Sequence, residues 1–222
     1  MKKIYERRYI RCVCYQYYQC GTLFHDGFMI IIMGLPGVGK STLLSKILEK
    51  NQDLKIINYG DLVLSSASKK FNITDRDKIN SLPLKDHLEI QKEAIKQINN
   101  EIKQAESEGK ILILDTHAVL KKPSGHLPGL APEIFNLPIH GFIFIDAPTN
   151  EILERREKDE KRRRPNIEKE EINALREMSL SFISQYSAAS GKPFFILINR
   201  KGKLERSTVE LEEIIEKLTS KI

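Results

Sequence analysis

The residues best suited to chemistry form one short run, residues 34–41, with the sequence GLPGVGKS. It matches the pattern G-x-x-x-x-G-K-[S/T], follows an apolar stretch and precedes a helical pattern. Such glycines let successive backbone N–H groups point at one anion, and the N-terminus of the following helix adds partial positive charge. Lys40 would contact the β- and γ-phosphates, and the Ser41 hydroxyl would ligate Mg²⁺. The run predicts a site for a nucleoside triphosphate, formed by Gly34, Leu35, Pro36, Gly37, Val38, Gly39, Lys40, Ser41 and Thr42.

Two aspartates, Asp115 and Asp146, each end an apolar run further along the chain. A carboxylate in such a position beside a phosphate loop can hold Mg²⁺ or its waters. Asp146 precedes Pro148 and Thr149, which are typical of a turn and a helix N-cap, so a structural role also explains it. Asp115 leads into a long loop rich in proline and glycine. We therefore prefer Asp115, together with Ser41, as the metal-side residue.

Short apolar runs alternate with helical patterns from residue 29 onward. The runs have the length of buried parallel strands, and they cover residues 29–33, 55–57, 111–114, 142–145 and 194–198. This alternation predicts an α/β fold with a five-stranded parallel sheet and helices on both faces. Ligands of such a sheet bind at the carboxyl ends of the strands.

Three helices are predicted with some detail. The first covers residues 84–105 with the buried stripe Leu84, Leu88, Gln91, Ile95, Ile98, Ile102 and Ala105. The second carries a stripe over residues 172–189, and Gly191 closes it. The third begins at a capping box formed by Ser207 and Glu210.

Composition limits the class of protein. The chain has 222 residues and a formal net charge of +6, which suits one domain that binds a polyanionic ligand without requiring nucleic acid. No apolar run approaches the roughly 18–20 residues that span a bilayer. We therefore expect a cytoplasmic protein with no membrane partner.

The first 28 residues differ from the rest, since they hold all three cysteines and five of the seven tyrosines. Cys12, Cys14, Cys20 and His25 could form a metal site, but C-x-C departs from the usual ligand spacing. A disulfide-bonded segment fits neither the odd cysteine count nor the compartment. We prefer an appended N-terminal segment, which is either poorly ordered or a mis-assigned start, before a P-loop domain at residues 29–222.

Several blocks in order resemble the archaeal-type adenylate kinases, a family of nucleoside monophosphate kinases with the P-loop fold. Besides residues 34–42, the blocks are INYGD at 57–61, DRD at 75–77, Gln91, DTHAV at 115–119, PSGHLPGL at 123–130 and an arginine-rich block at 159–166. The resemblance covers residues 29–222, and the DTHAV and PSGHLPGL pair is more specific than the phosphate loop alone.

The resemblance implies the reaction ATP + AMP ⇌ 2 ADP with Mg²⁺, a phosphotransferase that maintains the adenine nucleotide pool, a short basic lid and a homotrimer. It places the AMP side at Asn58, Tyr59, Gly60, Asp61, Arg76, Gln91, Thr116 and His117. It makes Lys40 catalytic together with Arg155, Arg162 and Arg164 of the basic lid. We interpret His117 as positioning the loop through hydrogen bonds, because transfer to a phosphate oxygen needs no general base.

An ordinary structural role is an alternative for several of these residues. A guanidinium suits a phosphate, but Arg76 could simply pair with Asp75 or Asp77. The amide of Gln91 suits an adenine edge, or it could be a core glutamine satisfied by the backbone. A basic run is also commonly a solvated surface. The absence of cysteines between residues 150 and 170 excludes a zinc-stapled lid.

His126, the pair Lys121 and Lys122, and the pair Ala131 and Pro132 depart from the family pattern on the AMP side. These departures are also compatible with a kinase that acts on another monophosphate or on a small acceptor. A second alternative is an ATP-switched RNA- or ribosome-assembly factor of the same fold, which the lack of an aromatic-flanked basic patch in the core does not favour.

Overall fold

The structure is a computed structural model that describes residues 27–122, 125–158 and 168–219. The segment at residues 1–26, with its three cysteines, and the basic residues 159–167, with Arg162 and Arg164, lie outside the described residues. The predictions for both segments remain predictions. Phe28, just before the predicted domain, packs with it: its carbonyl accepts from the Leu112 amide at 2.9 Å, and its ring lies against His140.

The chain contains seven described strands. They are β1 (Met29–Gly34), β2 (Leu54–Asn58), β3 (Ile111–Thr116), β4 (Val119–Lys122), β5 (Gly125–Pro128), β6 (Ile139–Asp146) and β7 (Phe194–Ile198). Five of them form one parallel sheet in the order β2-β3-β1-β6-β7, which confirms the predicted fold and all five predicted strands. Every residue of β1 is buried, and because neighbouring side chains point to opposite faces, both faces of the sheet are covered.

The helices are α1 (Lys40–Lys50), α2 (Tyr59–Phe71), α3 (Arg76–Asn80), α4 (Leu84–Ser107), α5 (Thr149–Glu157), α6 (Lys169–Ser190) and α7 (Leu204–Thr219), with a 3-10 helix at Pro132–Asn136. Gly191 ends α6 in the left-handed conformation with a φ of 66°, as predicted. None of the helices described is both long enough and apolar enough to cross a membrane.

Two predicted helix starts are wrong. α7 begins at Leu204, three residues before the proposed cap, and Ser207 is buried inside it with its amide bonded to the Lys203 carbonyl. α5 has Pro148 at its N-cap rather than Thr149, whose hydroxyl contacts Asn173 at 2.9 Å. Thr149 thus uses its hydroxyl in a contact with α6, and Ser207 is buried within α7, so neither side chain caps a helix.

The predicted stripe of α4 is buried from Gln91 onward, as expected, but not at its two leucines. Leu84 and Leu88 are 56% and 38% exposed, whereas His87 is 3% exposed. Gln91 is therefore not the one polar residue on the buried face, as the stripe predicted, because His87 shares that face one turn earlier. The sequence pattern favoured the leucines as buried residues because they are apolar. The packing of α4 against α2 and β3 instead determines which side chains are buried.

The loop predicted after Asp115 is in part a hairpin. β4 and β5 pair antiparallel, with Val119 opposite Pro128 and Lys121 opposite His126. Gly129 follows the hairpin so close to the chain that a Cβ there would lie 1.8 Å from the His117 carbonyl oxygen. Only glycine permits this approach, which holds the hairpin against the end of β3.

Candidate active site

The phosphate loop, residues 34–41, connects β1 to α1 at the carboxyl edge of the sheet. Gly39 is the N-cap of α1, with a φ of 83° that side-chain-bearing residues rarely adopt. A Cβ at Gly39 would lie 2.6 Å from the Asn199 Nδ2 atom. Both its backbone conformation and this close approach therefore require glycine. Since no side chain caps α1, its first N–H groups remain available to an anion.

Two side chains hold the back of the phosphate loop. The Val38 carbonyl accepts from Asn199 Nδ2 at 2.9 Å and from Arg155 Nη1 at 2.8 Å. Arg155 Nη2 also donates to Glu151 at 2.7 Å and to the Asn199 carbonyl at 3.0 Å. Arg155 was predicted to face phosphate. It holds the phosphate loop in place, and it also lines the cavity that the loop borders. Asn199 is a site residue that the sequence reasoning missed, although it follows β7 at the strand end where ligands of such sheets bind.

Lys40 turns back onto the end of β3. Its Nζ contacts the Asp115 carboxylate and the Thr116 carbonyl, and the residue is buried. Burial lowers the pKa of Lys40, and the neighbouring Asp115 carboxylate opposes that shift. A triphosphate that bound here would offer this cation a second set of anionic oxygens.

Ser41 and Asp115 suit a magnesium ion. Both line one cavity, and both supply the hard oxygen ligands that Mg²⁺ prefers. Asn58 Nδ2 donates to Asp115 Oδ2 at 2.7 Å and so fixes the carboxylate. Among the described residues no group of three or more His, Cys, Asp or Glu side chains could hold a metal. The donor set therefore fits an ion that keeps water and phosphate oxygens as its other ligands.

Asp146, the competing candidate, has a structural partner. Arg176, on α6, donates from Nε to Asp146 Oδ2 at 2.8 Å and from Nη2 to the Ala147 carbonyl at 2.9 Å. Its Nη1 also reaches Thr149 at 3.0 Å and Asn173 at 2.8 Å. Asp146 therefore ties α6 to the end of β6, through a partner that the sequence reasoning did not name.

His117 contacts the phosphate loop directly. Its Nδ1 lies 2.7 Å from the Gly34 carbonyl oxygen, and because a carbonyl can only accept, Nδ1 carries the proton. The imidazole thus connects the end of β3 to the start of the phosphate loop. This contact agrees with the positioning role predicted for His117.

The second predicted binding region begins where β2 ends. Asn58 caps α2, since its Oδ1 accepts from the Asp61 amide at 3.2 Å. Tyr59 is buried, which raises the pKa of its phenol well above the usual value. Asp61 forms an ion pair with Arg76, a partner that the sequence reasoning did not name. A Cβ at Gly60 would lie 3.4 Å from Arg76 Nη1, so the guanidinium lies over the α2 N-terminus.

α4 presents His87 and Gln91 to the same region. Both side chains are 3% exposed and both line the cavity. Within the part of the chain that the structure describes, neither ring nitrogen of His87 has a hydrogen-bond partner. Burial, together with the positive charge of Lys122, lowers the pKa of His87 to about 4. The imidazole is therefore neutral at physiological pH.

One cavity of about 970 Å³ joins these parts. This volume lies at the upper end of the range for small-molecule sites. The predicted residues that line it are Leu35, Pro36, Gly37, Gly39, Lys40, Ser41, Thr42, Asn58, Tyr59, Gly60, Asp61, Arg76, Gln91, Asp115, Thr116, His117 and Arg155. Gly34 and Val38 shape the loop from behind. The structure thus brings together two predicted regions that lie far apart in the sequence.

Comparison with known proteins identifies one matching family model and several similar adenylate kinases. The family model described as AAA domain matches residues 33–173. An adenylate kinase of Pyrococcus abyssi is 35% identical over 192 residues, which cover 85% of this chain and 95% of the relative. An adenylate kinase of Methanopyrus kandleri is 31% identical over 86% of this chain and 100% of its own length.

Solved structures share the fold at lower identity. The shikimate kinase of Bacteroides thetaiotaomicron superimposes with a TM-score of 0.53 at 16% identity, covering 85% of this chain and 98% of its own. A Thermus thermophilus protein superimposes with a TM-score of 0.54 at 18% identity, covering 87% of this chain and 99% of its own.

The fold is that of the P-loop kinases, and the relatives above identify the chemistry as phosphotransfer. The chain belongs to the adenylate kinase family of phosphotransferases.

Proposed function

We propose that this protein is an adenylate kinase that catalyses the Mg²⁺-dependent reaction ATP + AMP ⇌ 2 ADP in the cytoplasm. The observation that carries the proposal is that one cavity is lined both by the phosphate loop and by Arg76 and Gln91. We call the phosphate loop with Asn199 and Arg155 the donor side. The segment from Asn58 to Asp61 with Arg76, His87 and Gln91 is the acceptor side.

The donor side positions ATP. Backbone N–H groups of the phosphate loop and the free N-terminus of α1 surround its phosphates. Lys40 moves from Asp115 to the β- and γ-phosphate oxygens and stabilises the charge that develops during transfer. Mg²⁺, held near Ser41 and Asp115, would neutralise further phosphate charge when bound.

The acceptor side positions AMP. Arg76 exchanges Asp61 for the AMP phosphate and forms two parallel hydrogen bonds with it. The buried amide of Gln91 binds the adenine edge, which places the AMP phosphate toward the phosphate loop. Catalysis then consists mainly of in-line positioning and charge stabilisation, because phosphoryl transfer needs no covalent intermediate. The lid arginines Arg162 and Arg164 would add positive charge.

The test is ADP formation from ATP with AMP, CMP, UMP or GMP as acceptor, with and without Mg²⁺. We expect kcat/KM to be highest with AMP and activity to disappear with a chelator. The absence of turnover with AMP would refute the proposal, and a preference for CMP or UMP would identify a different monophosphate kinase. Light scattering of the purified protein tests the homotrimer that the resemblance implies.

A further inference from the structure

His87 is a buried polar side chain that the mechanism above does not use. It is 3% exposed and lines the cavity, and neither of its ring nitrogens has a hydrogen-bond partner in residues 27–122, 125–158 and 168–219. Buried polar groups are normally paired, so an unpaired imidazole at a cavity wall indicates a ligand that completes it. Its charged neighbour Lys122 already donates to the Ile79 carbonyl at 3.2 Å.

His87 and Gln91 are spaced four residues apart on α4. Residues at this spacing lie one above the other on the same helical face, and both of these face the cavity. A flat ligand against α4 would therefore meet both side chains at once. The position lies on the acceptor side, beyond the phosphate clamp that we assign to Arg76.

The protonation state of His87 favours a base over a phosphate as its ligand. Burial and the charge of Lys122 keep the imidazole neutral, with its pKa at about 4. A neutral imidazole has one donor and one acceptor. The adenine edge likewise presents an amino donor beside ring-nitrogen acceptors. A phosphate, in contrast, would be bound best by a charged imidazolium.

We propose that His87 binds the base of the acceptor monophosphate and, with Gln91, determines the selectivity of the acceptor side for adenine. This inference rests on the proposed adenylate kinase activity and adds a specificity-determining residue to it. His87 does not contact the reacting phosphates, so its loss should change the KM for the acceptor rather than kcat.

The experiment compares steady-state kinetics of the wild type, His87→Phe and the control His140→Phe. His140 is a second partly buried imidazole, but it lies at the opposite edge of the sheet, against Phe28. In His87→Phe we expect the KM for AMP to rise about tenfold, as for the loss of a buried hydrogen bond, while kcat and the KM for ATP stay within about twofold. His140→Phe should leave all three values near those of the wild type.

Base analogues locate the contact without relying on one variant. Purine riboside 5′-monophosphate lacks the amino group of AMP, and 7-deaza-AMP lacks the N7 acceptor. We expect the wild type to bind at least one analogue several-fold more weakly than AMP and His87→Phe to discriminate less. If His87→Phe melts far below His140→Phe, His87→Gln replaces it, because glutamine keeps a donor and an acceptor while changing their positions.

The two possible failures are distinguishable. A wild type that does not use AMP refutes the proposed function and this inference with it. A wild type that uses AMP, with an unchanged KM for AMP in a folded His87→Phe, refutes only the role of His87. Equal discrimination among the analogues by the wild type and by the His87 variant refutes it as well.

Discussion

The donor and acceptor sides share one cavity but are built in different ways. On the donor side, a contiguous loop is held by internal contacts, with the Val38 carbonyl accepting from both Asn199 and Arg155. On the acceptor side, separate segments contribute isolated polar groups. There Asp61 forms an ion pair with Arg76, and the ring nitrogens of His87 have no hydrogen-bond partner among the described residues.

The difference indicates where the cost of ligand binding arises. The backbone of the donor side is already shaped for an anion, so binding needs little rearrangement beyond the movement of Lys40. In the proposed reaction, the acceptor side would break the ion pair of Arg76, and the monophosphate would in return satisfy buried groups. Substitutions on the donor side should therefore affect kcat and stability, whereas substitutions on the acceptor side should affect the KM for the monophosphate.

Lys40→Met is expected to have the largest effect. It removes the cation that stabilises the transferring phosphoryl group, and we expect kcat to fall by about 10²–10³-fold or more. Steady-state ADP formation measures it. The matched control is Lys46→Met on the same helix, where Lys46 pairs only with surface carboxylates, Glu49 at 3.2 Å and Glu205 at 3.5 Å. Unchanged kcat in Lys40→Met would overturn the assignment of the phosphate site.

Arg76→Ala tests the acceptor side directly. The loss of a charged, two-pronged hydrogen bond to phosphate should raise the KM for AMP by about 10- to 100-fold. The KM for ATP should change little, because we assign Arg76, on α3, to the acceptor side. Arg206→Ala, an exposed arginine on α7, is the control. An equal rise in both KM values would contradict the division into two sides.

Asn199→Ala examines the brace behind the phosphate loop. The Val38 carbonyl would keep Arg155 but lose one donor, which should destabilise the fold by about 1 kcal/mol and lower Tm by about 2–4 °C. We expect the KM for ATP to rise a few-fold and the KM for AMP to stay constant. Thermal melting and kinetics measure these effects, with Asn51→Ala at the other end of α1 as the control. An unaltered Tm and KM for ATP would argue against the brace.

The pH dependence of stability gives the smallest effect. Because the pKa of His87 is about 4 in the folded protein and near 6.5 when unfolded, the unfolded chain binds the proton more readily. The contribution of neutral His87 is complete above pH 6.5 and is lost as pH falls toward 4. By pH 4.5 the wild type should lose about 2 kcal/mol more stability than His87→Phe, measured by urea unfolding. Parallel stability curves for the two proteins would contradict the buried neutral imidazole.

The donor side could be predicted from the sequence because its residues are contiguous. The spacing within residues 34–41 by itself requires a turn with glycine freedom and then a helix, and the structure has both. The five strands were predicted for a similar reason, since short apolar runs between helices are typical of a parallel sheet covered on both faces.

The missed features depend on contacts between distant segments. Asn199 is 161 positions from Val38, and no local pattern connects them. His87 was overlooked because two leucines gave α4 a more apolar stripe, although packing exposes both. The β4–β5 hairpin depends on Gly129 meeting the His117 carbonyl, a contact that spacing does not reveal.

The phosphate loop, the succession of strands and helices along the chain, and the family could all be predicted from the sequence. Each of them rests on residues that are close together or on motifs that follow one another in order. Only the tertiary structure decided which strand-end aspartate pairs with Lys40 and which with Arg176. It also decided that His87 joins Gln91 at the cavity. Helix rotation and the pairing of buried charges follow from the packing of the whole domain, because burial makes each unpaired polar group costly wherever its partner lies in the chain.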